Sequence, residues 1–123
     1  MLKIEIPLLP RSKKNSQQII ICKGKPMIIQ SELYRQYEKD CALFMPKLEN
    51  PIFSKVNLKC TFIVPDRRKR DLTNLENAIA DILVKYKVLE DDNYNIIQSW
   101  DGSRIVYQKG IEKTIIEIEF LED

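Results

Sequence analysis

Residues 56–83 constrain the fold more than any other stretch. In "VNLKCTFIVP" the apolar side chains Val56, Leu58, Cys60, Phe62 and Val64 occupy every second position, which an extended chain brings onto one face, and Pro65 closes the run. After a basic segment the period changes. Leu72, Leu75, Ile79, Ile82 and Leu83 share one stripe at about 100° per residue, so a helix follows, with Asn74, Asn77 and Asp81 on its other face. A strand with an apolar face, followed by a helix with an apolar stripe, is stable when the helix lies back on the sheet.

The rest of the chain supplies partners for this unit. "MLKIEIP" alternates Leu2, Ile4 and Ile6 against Lys3 and Glu5, the pattern of a half-buried strand, and "KTIIEIEFLE" does the same with Ile116, Ile118 and Phe120. "IIICKGKPMII" predicts a short hairpin turning at Lys23, Gly24 and Lys25. From Ser31 as N-cap, Leu33, Tyr37, Cys41 and Phe44 recur at helical spacing until Pro46. "IIQSWDGSRIVY" reads as extended, with Asp101-Gly102 either a bulge or a hairpin turn. The expected architecture is α+β: one domain over residues 1–123, with a mixed sheet of about four main strands packed with two helices.

Composition narrows the chemistry. Without a single histidine, Ser-His and Cys-His nucleophile pairs and His-containing zinc sites are excluded, which leaves carboxylates, lysines and thiols. Cys22, Cys41 and Cys60 are odd in number and lack C-x-x-C spacing, so they read as reduced thiols of a cytoplasmic protein. Met1 opens directly into a strand pattern and no apolar run has the length of a membrane span, so neither a secretory signal nor a membrane partner is expected. The net charge of +2 hides an asymmetry: residues 111–123 hold one Lys and five acids, leaving residues 1–110 with 19 basic against 13 acidic side chains, a net of +6.

The basic excess gathers in two places, Arg11, Lys13 and Lys14 in a polar loop and Arg67, Arg68, Lys69 and Arg70 between strand and helix. Together they suit a phosphate-tracking surface. Asp71 follows the second group directly, and Asp91 and Asp92 follow the helix. If the loop after the helix folds back toward the strand end, these acids reach one edge of the sheet. Clustered carboxylates repel unless a divalent cation compensates, and oxygen-only ligands suit Mg2+ or Mn2+. The same residues also have a structural reading. Thr73 and Glu76 form a capping-box pattern, Asp71 complements a helix dipole, and Asp91-Asp92-Asn93 is turn-like.

"VPDRRKRDLTNLENAIADIL", with "VLEDD" after it, resembles the RusA family of Holliday junction resolvases, and "IPLLPRSKKNS" is similar to that family's opening strand and loop. The resemblance implies a homodimer that binds four-way DNA junctions and nicks paired strands with magnesium held by acids. By position it implies Asp71 and Asp92 as metal-holding catalytic acids, Asp91 as their neighbour, Arg70 as the arginine before the first acid, and Asn74 as the motif asparagine. Two positions depart from the pattern. Thr73 stands where the family has a second motif acid, and Asn77 where it has a lysine. Asp91 or Asp81 would then complete the ligand set, and Lys69 or Arg70 the missing positive charge. The resulting expectation is a magnesium-dependent junction endonuclease; the alternatives are a non-catalytic junction-binding protein on the same fold and an RNA-binding or adaptor module.

Overall fold

The apolar run from Val56 to Val64 is the strand around which the sheet assembles, because almost every residue in it is buried. The computed structural model describes residues 1–11, 17–30 and 32–121. In chain order these form β1 (Leu2–Ile6), β2 (Gln17–Cys22), β3 (Lys25–Gln30), α1 (Glu32–Ala42), β4 (Val56–Val64), α2 (Leu72–Lys85), β5 (Ile97–Ser99), β6 (Arg104–Tyr107) and β7 (Lys113–Phe120). One sheet runs β1-β7-β4-β5 with β6 also on β4, and β2 pairs with β3 alone. β7 is antiparallel to both β1 and β4, whereas β5 and β6 are parallel to β4. The sheet is mixed, as the α+β reading requires.

Register aligns the core. Leu58 lies opposite Ile118, Cys60 opposite Ile116 and Phe62 opposite Thr114, and the far side of β7 continues the rows with Leu2, Ile4 and Ile6. The helices cover this face, where Tyr34, Tyr37 and Cys41 of α1 and Leu75, Ile79, Ile82 and Leu83 of α2 join the same cluster. Alternate residues turn the other way and form a charged surface, with Glu5 bridging Lys3 at 3.4 Å and Lys113 at 3.0 Å. The helices are tied at their far ends. Tyr86 Oη donates to the Glu38 carbonyl at 2.5 Å, and Lys85 pairs with the Glu38 carboxylate at 2.9 Å.

β7 occupies one edge of β4 from Val56 to Ile63, so β5 and β6 share the other edge, β5 at Val56–Asn57 and β6 at Thr61–Val64. They are one edge strand, interrupted between Trp100 and Ser103. Two side chains fill the gap in the ladder. Asn57, only 5% exposed, accepts from Asp101 N at 2.7 Å and Ser99 Oγ at 2.6 Å and donates to Asp101 O at 3.1 Å. Ser103 Oγ accepts from Cys60 N at 3.0 Å and donates to Leu58 O at 3.1 Å. Gly102 turns the excursion at φ +88, where a Cβ would press on the Lys59 side chain at 3.2 Å. Asp101-Gly102 is therefore a bulge-like departure; a hairpin would have made the flanking strands antiparallel.

Two local readings need adjustment. The buried face of α1 is Tyr34, Tyr37 and Cys41, with Leu33 63% exposed, because the helix presents i, i+3 and i+7 from position 34. α1 also ends at Ala42, so Phe44 lies beyond it in a turn. The predicted N-cap, Ser31, lies outside the described residues. The hairpin forms as expected: Lys23 and Gly24 both have positive φ, which matches the twist of two strands joined by two residues. Cys41 and Cys60 are buried free thiols, pushed up to about 11 and about 12 by desolvation. Among the described residues no helix is long and apolar enough to cross a membrane.

Candidate nucleic-acid interface

The basic run leaves the end of β4 as a tight loop organised by Asp66. Its Oδ1 accepts from Arg68 N and from Arg70 Nη1, both at 2.9 Å, and its Oδ2 meets Arg68 Nε at 3.3 Å. Arg70 Nη1 also reaches Arg68 O at 3.3 Å. The Arg70 hydrogen bond, followed by that from Arg68 N, holds Asp66 down to about 2. Arg67 turns the other way and stacks its guanidinium over the Tyr107 ring, 4.8 Å from the centroid. Lys69 is exposed. The loop thus fixes the direction of three arginines. Ion pairs this open contribute little stability, so their effect is geometric.

Asp66 escaped the sequence reading, although an Asp opening a turn two residues before a free N–H is a recognisable signal. Its depressed value sets a pH dependence. A lowered carboxylate contributes stability above its unfolded value, near 4, and loses it as pH falls through about 2. The stability difference between wild type and Asp66→Asn, followed by urea unfolding, is expected to be constant at neutral pH and to shrink between those two values. A difference that persists unchanged at the acid end would show that the carboxylate is not the cause.

Asp71 occupies the N-cap of α2 at φ −95 and ψ 121, and its side chain makes no capping bond. Its Oδ2 has only a long contact from Asn74 Nδ2, 3.4 Å. A cap residue normally spends an oxygen on the N2 or N3 amide; here the carboxylate stays available. Thr73 lies inside the first turn, so the capping-box placement of Thr73 gives way to Asp71. Thr73 and Asn77 are exposed and Glu76 is half-buried, its carboxyl raised by desolvation.

Asp91 and Asp92 lie at the other end of α2. The helix spans 14 residues, about 21 Å. It runs back along β4, and the chain after it bridges Leu89 to Ile52 before β5 pairs with Val56, where β4 begins. The loop does not fold toward the strand end that carries Asp71, so one chain does not bring these acids together. Strand direction decides this, since a parallel β5 requires the helix to return to the start of β4 first. Asp91 is committed to its own turn, accepting from Asp92 N at 2.8 Å and Asn93 Nδ2 at 3.2 Å. The Asp92 side chain is exposed. Asp81 is half-buried midway along α2. Among the described residues no three His, Cys, Asp or Glu side chains group as metal ligands.

The basic positions do converge. Arg11, after β1, lines a cleft of about 300 Å³ together with Arg68 and Arg70, which joins the two basic segments separated in sequence. Lys13 and Lys14 lie outside the described residues.

Comparison with known proteins bears on this surface. The family model described as endodeoxyribonuclease RusA matches residues 7–119. The crossover junction endodeoxyribonuclease rusA of Enterobacteria phage HK97 is 32% identical over 78 residues, which cover 62% of this chain and 61% of the phage protein. The matched stretch therefore spans less than two thirds of that relative.

Proposed function

The chain belongs to the RusA endodeoxyribonuclease family, and from that membership we propose that it is a structure-selective DNA endonuclease that resolves four-way junctions by paired nicks. The observation carrying this reading is the end of β4, where Asp66 fixes Arg68 and Arg70 just before the uncommitted carboxylate of Asp71. Guanidiniums so held meet phosphate oxygens with little further ordering. The carboxylate beside them is an oxygen donor at the position a scissile phosphate would approach.

The proposed cofactor is magnesium, with manganese as a substitute. The donors suit it, because Asp71 and Asp92 are exposed carboxylates and magnesium takes one or two of these together with water and substrate phosphate. Bound there, the ion would lower the pKa of a water and polarise the phosphodiester. The chain's own residues do the rest. Asp71 and Asp92 would hold the ion, Asp91 would brace the turn carrying Asp92, Arg70 would meet the phosphate charge, and Arg67, Arg68, Lys69 and Arg11 would orient the backbone. The reading includes a homodimer. Since α2 separates Asp71 from Asp92, a second copy is the source of the distant acid, and a junction offers the matching symmetry. Buried free thiols at Cys41 and Cys60 support a reducing, cytoplasmic setting.

The deciding experiment is nicking of a synthetic four-way junction against linear duplex, with magnesium and then with chelator. Symmetric nicks that vanish on chelation are expected. Selective binding without nicks at any metal concentration would favour the second reading, a non-catalytic junction binder, for which Thr73 and Asn77 speak as departures from the family pattern. Replacing Arg67, Arg68 and Lys69 by Ala should flatten the salt dependence of binding by about 0.9 log units per lost phosphate contact. An unchanged slope would return the run to an ordinary solvated surface.

A further inference from the structure

We propose that Glu76 is a further metal-holding acid of the site at the start of α2, standing in for the carboxylate that Thr73 does not supply. The inference rests on the magnesium reading above and adds the residue that completes the ligand set beside Asp71.

Asp91 and Asp81 are the other candidates for this role, and the fold removes both. Asp91 commits its oxygens to its own turn. Asp81 has interactions of its own and lies ten residues from Asp71, about 15 Å along a helix axis. Glu76 is five residues from Asp71, about 7.5 Å by the same rise. It is also released from the capping duty that its spacing from Thr73 suggests. With Asp71 as N-cap, the acid of a capping box would stand at position 74, which is Asn.

The surroundings of Glu76 supply the second observation. On α2 its neighbours one and two turns away are Leu72, Thr73, Ile79, Ala80 and Leu83. Ile79, Ala80 and Leu83 are buried and Leu72 is half-buried, so Glu76 occupies a place where an apolar side chain would continue the core. Toward β4 it faces the Cys60 thiol, whose ionisation its charge opposes. No hydrogen bond or cation among the described residues offsets the burial of its carboxyl. A carboxylate left uncompensated at such a position is unfavourable for folding. Thr73 is the exposed neighbour, and it lies on the N-terminal side. Helical side chains lean toward the N-terminus. The open path for this carboxylate therefore runs past Thr73 to the end of the helix where the Asp71 side chain is uncommitted. A divalent ion held there would supply the missing compensation, and an all-oxygen donor set suits magnesium or manganese.

The test uses the full chain with Mn2+ as probe, the free ion being counted by electron paramagnetic resonance. Glu76→Gln, which keeps the shape and removes the charge, should weaken Mn2+ binding on the order of tenfold, the scale of losing one group that supports a metal site. Adding Thr73→Asp to that variant should recover most of the affinity. Thermal unfolding gives an independent readout: without metal the Glu76→Gln protein should be at least as stable as wild type, and Mn2+ should raise the wild-type midpoint more. Glu76→Leu continues the apolar stripe, should lose the same affinity, and serves if the Gln variant fails to fold. Loss of affinity with no rescue by Thr73→Asp would give Glu76 a structural role and overturn it as a ligand. Wild-type affinity in the Glu76 variants, with Asp71→Asn still losing it, overturns the inference and leaves the magnesium reading standing. No Mn2+ binding by the wild type, with or without a four-way junction, overturns both.

Discussion

Nicking by the Asp71→Asn protein is expected to fall at least about 100-fold with junction binding retained, the scale of losing one preorganised electrostatic group at a reacting centre. The substitution separates two roles that coincide at this position. Asn caps a helix about as well as Asp, and the native Asp71 side chain makes no capping bond to lose, so α2 should keep its stability. A change in rate therefore reports on the negative oxygen, not on the fold. Asp92→Asn should behave alike, since its exposed carboxylate is not part of the turn that Asp91 holds. Mixing the two inactive variants adds a test of the dimer. If each site draws one acid from each copy, every mixed dimer contains one wholly wild-type pair and one doubly substituted pair, and single-strand nicking should return. Full activity in either variant alone would remove that acid from the site.

The largest loss of stability away from the core apolar residues is expected for Asn57→Ala, about 2–3 kcal/mol by urea unfolding, from a buried group that leaves polar partners unsatisfied. Three hydrogen bonds converge on this side chain, and they replace the ladder where β5 and β6 part. Removing it frees the Asp101 amide and carbonyl and leaves a gap beside Val56. Asn57→Asp should be nearly as costly, because the Asp101 carbonyl would then face an oxygen. A loss below about 0.5 kcal/mol, the level of an ordinary surface change, would mean that water closes the gap.

The central unit was readable because both of its periods are written in adjacent residues. Val56 to Val64 alternates and Leu72 to Leu83 follows a helical stripe, and each pattern has one buried solution. Strand direction was not readable. Whether the chain after α2 returns to the start of β4 or stays at its end depends on pairing between Ile97 and Val56, a contact between residues far apart in sequence. That one unknown separated Asp71 from Asp92. Tyr37 and Cys41 of α1 are buried as their spacing predicts, but the first buried position is Tyr34 and not Leu33, because both are apolar enough to qualify and packing against the sheet, not periodicity, chooses between them. Asp66 was overlooked because a single acid beside four bases looks like charge balance until its bonds are seen. The basic groups were legible as charge, but their meeting in one cleft depends on β1 and β4 ending at the same side of the sheet.

The pairing of β1 with β7 has a consequence for how the chain is made. Ile4 lies opposite Ile116 and Ile6 opposite Thr114, so β1 finds its neighbour only after the residues between them have been made. Until then β1 and β4 lack the antiparallel partner they share, and the edges that face β7 remain unpaired. Local helices form in microseconds, whereas this closure spans over a hundred residues and carries the entropy cost of a very large loop. The nascent protein therefore passes through an interval in which its unpaired strand edges can recruit other chains, and the time taken to make the residues between β4 and β7 sets how long that exposure lasts.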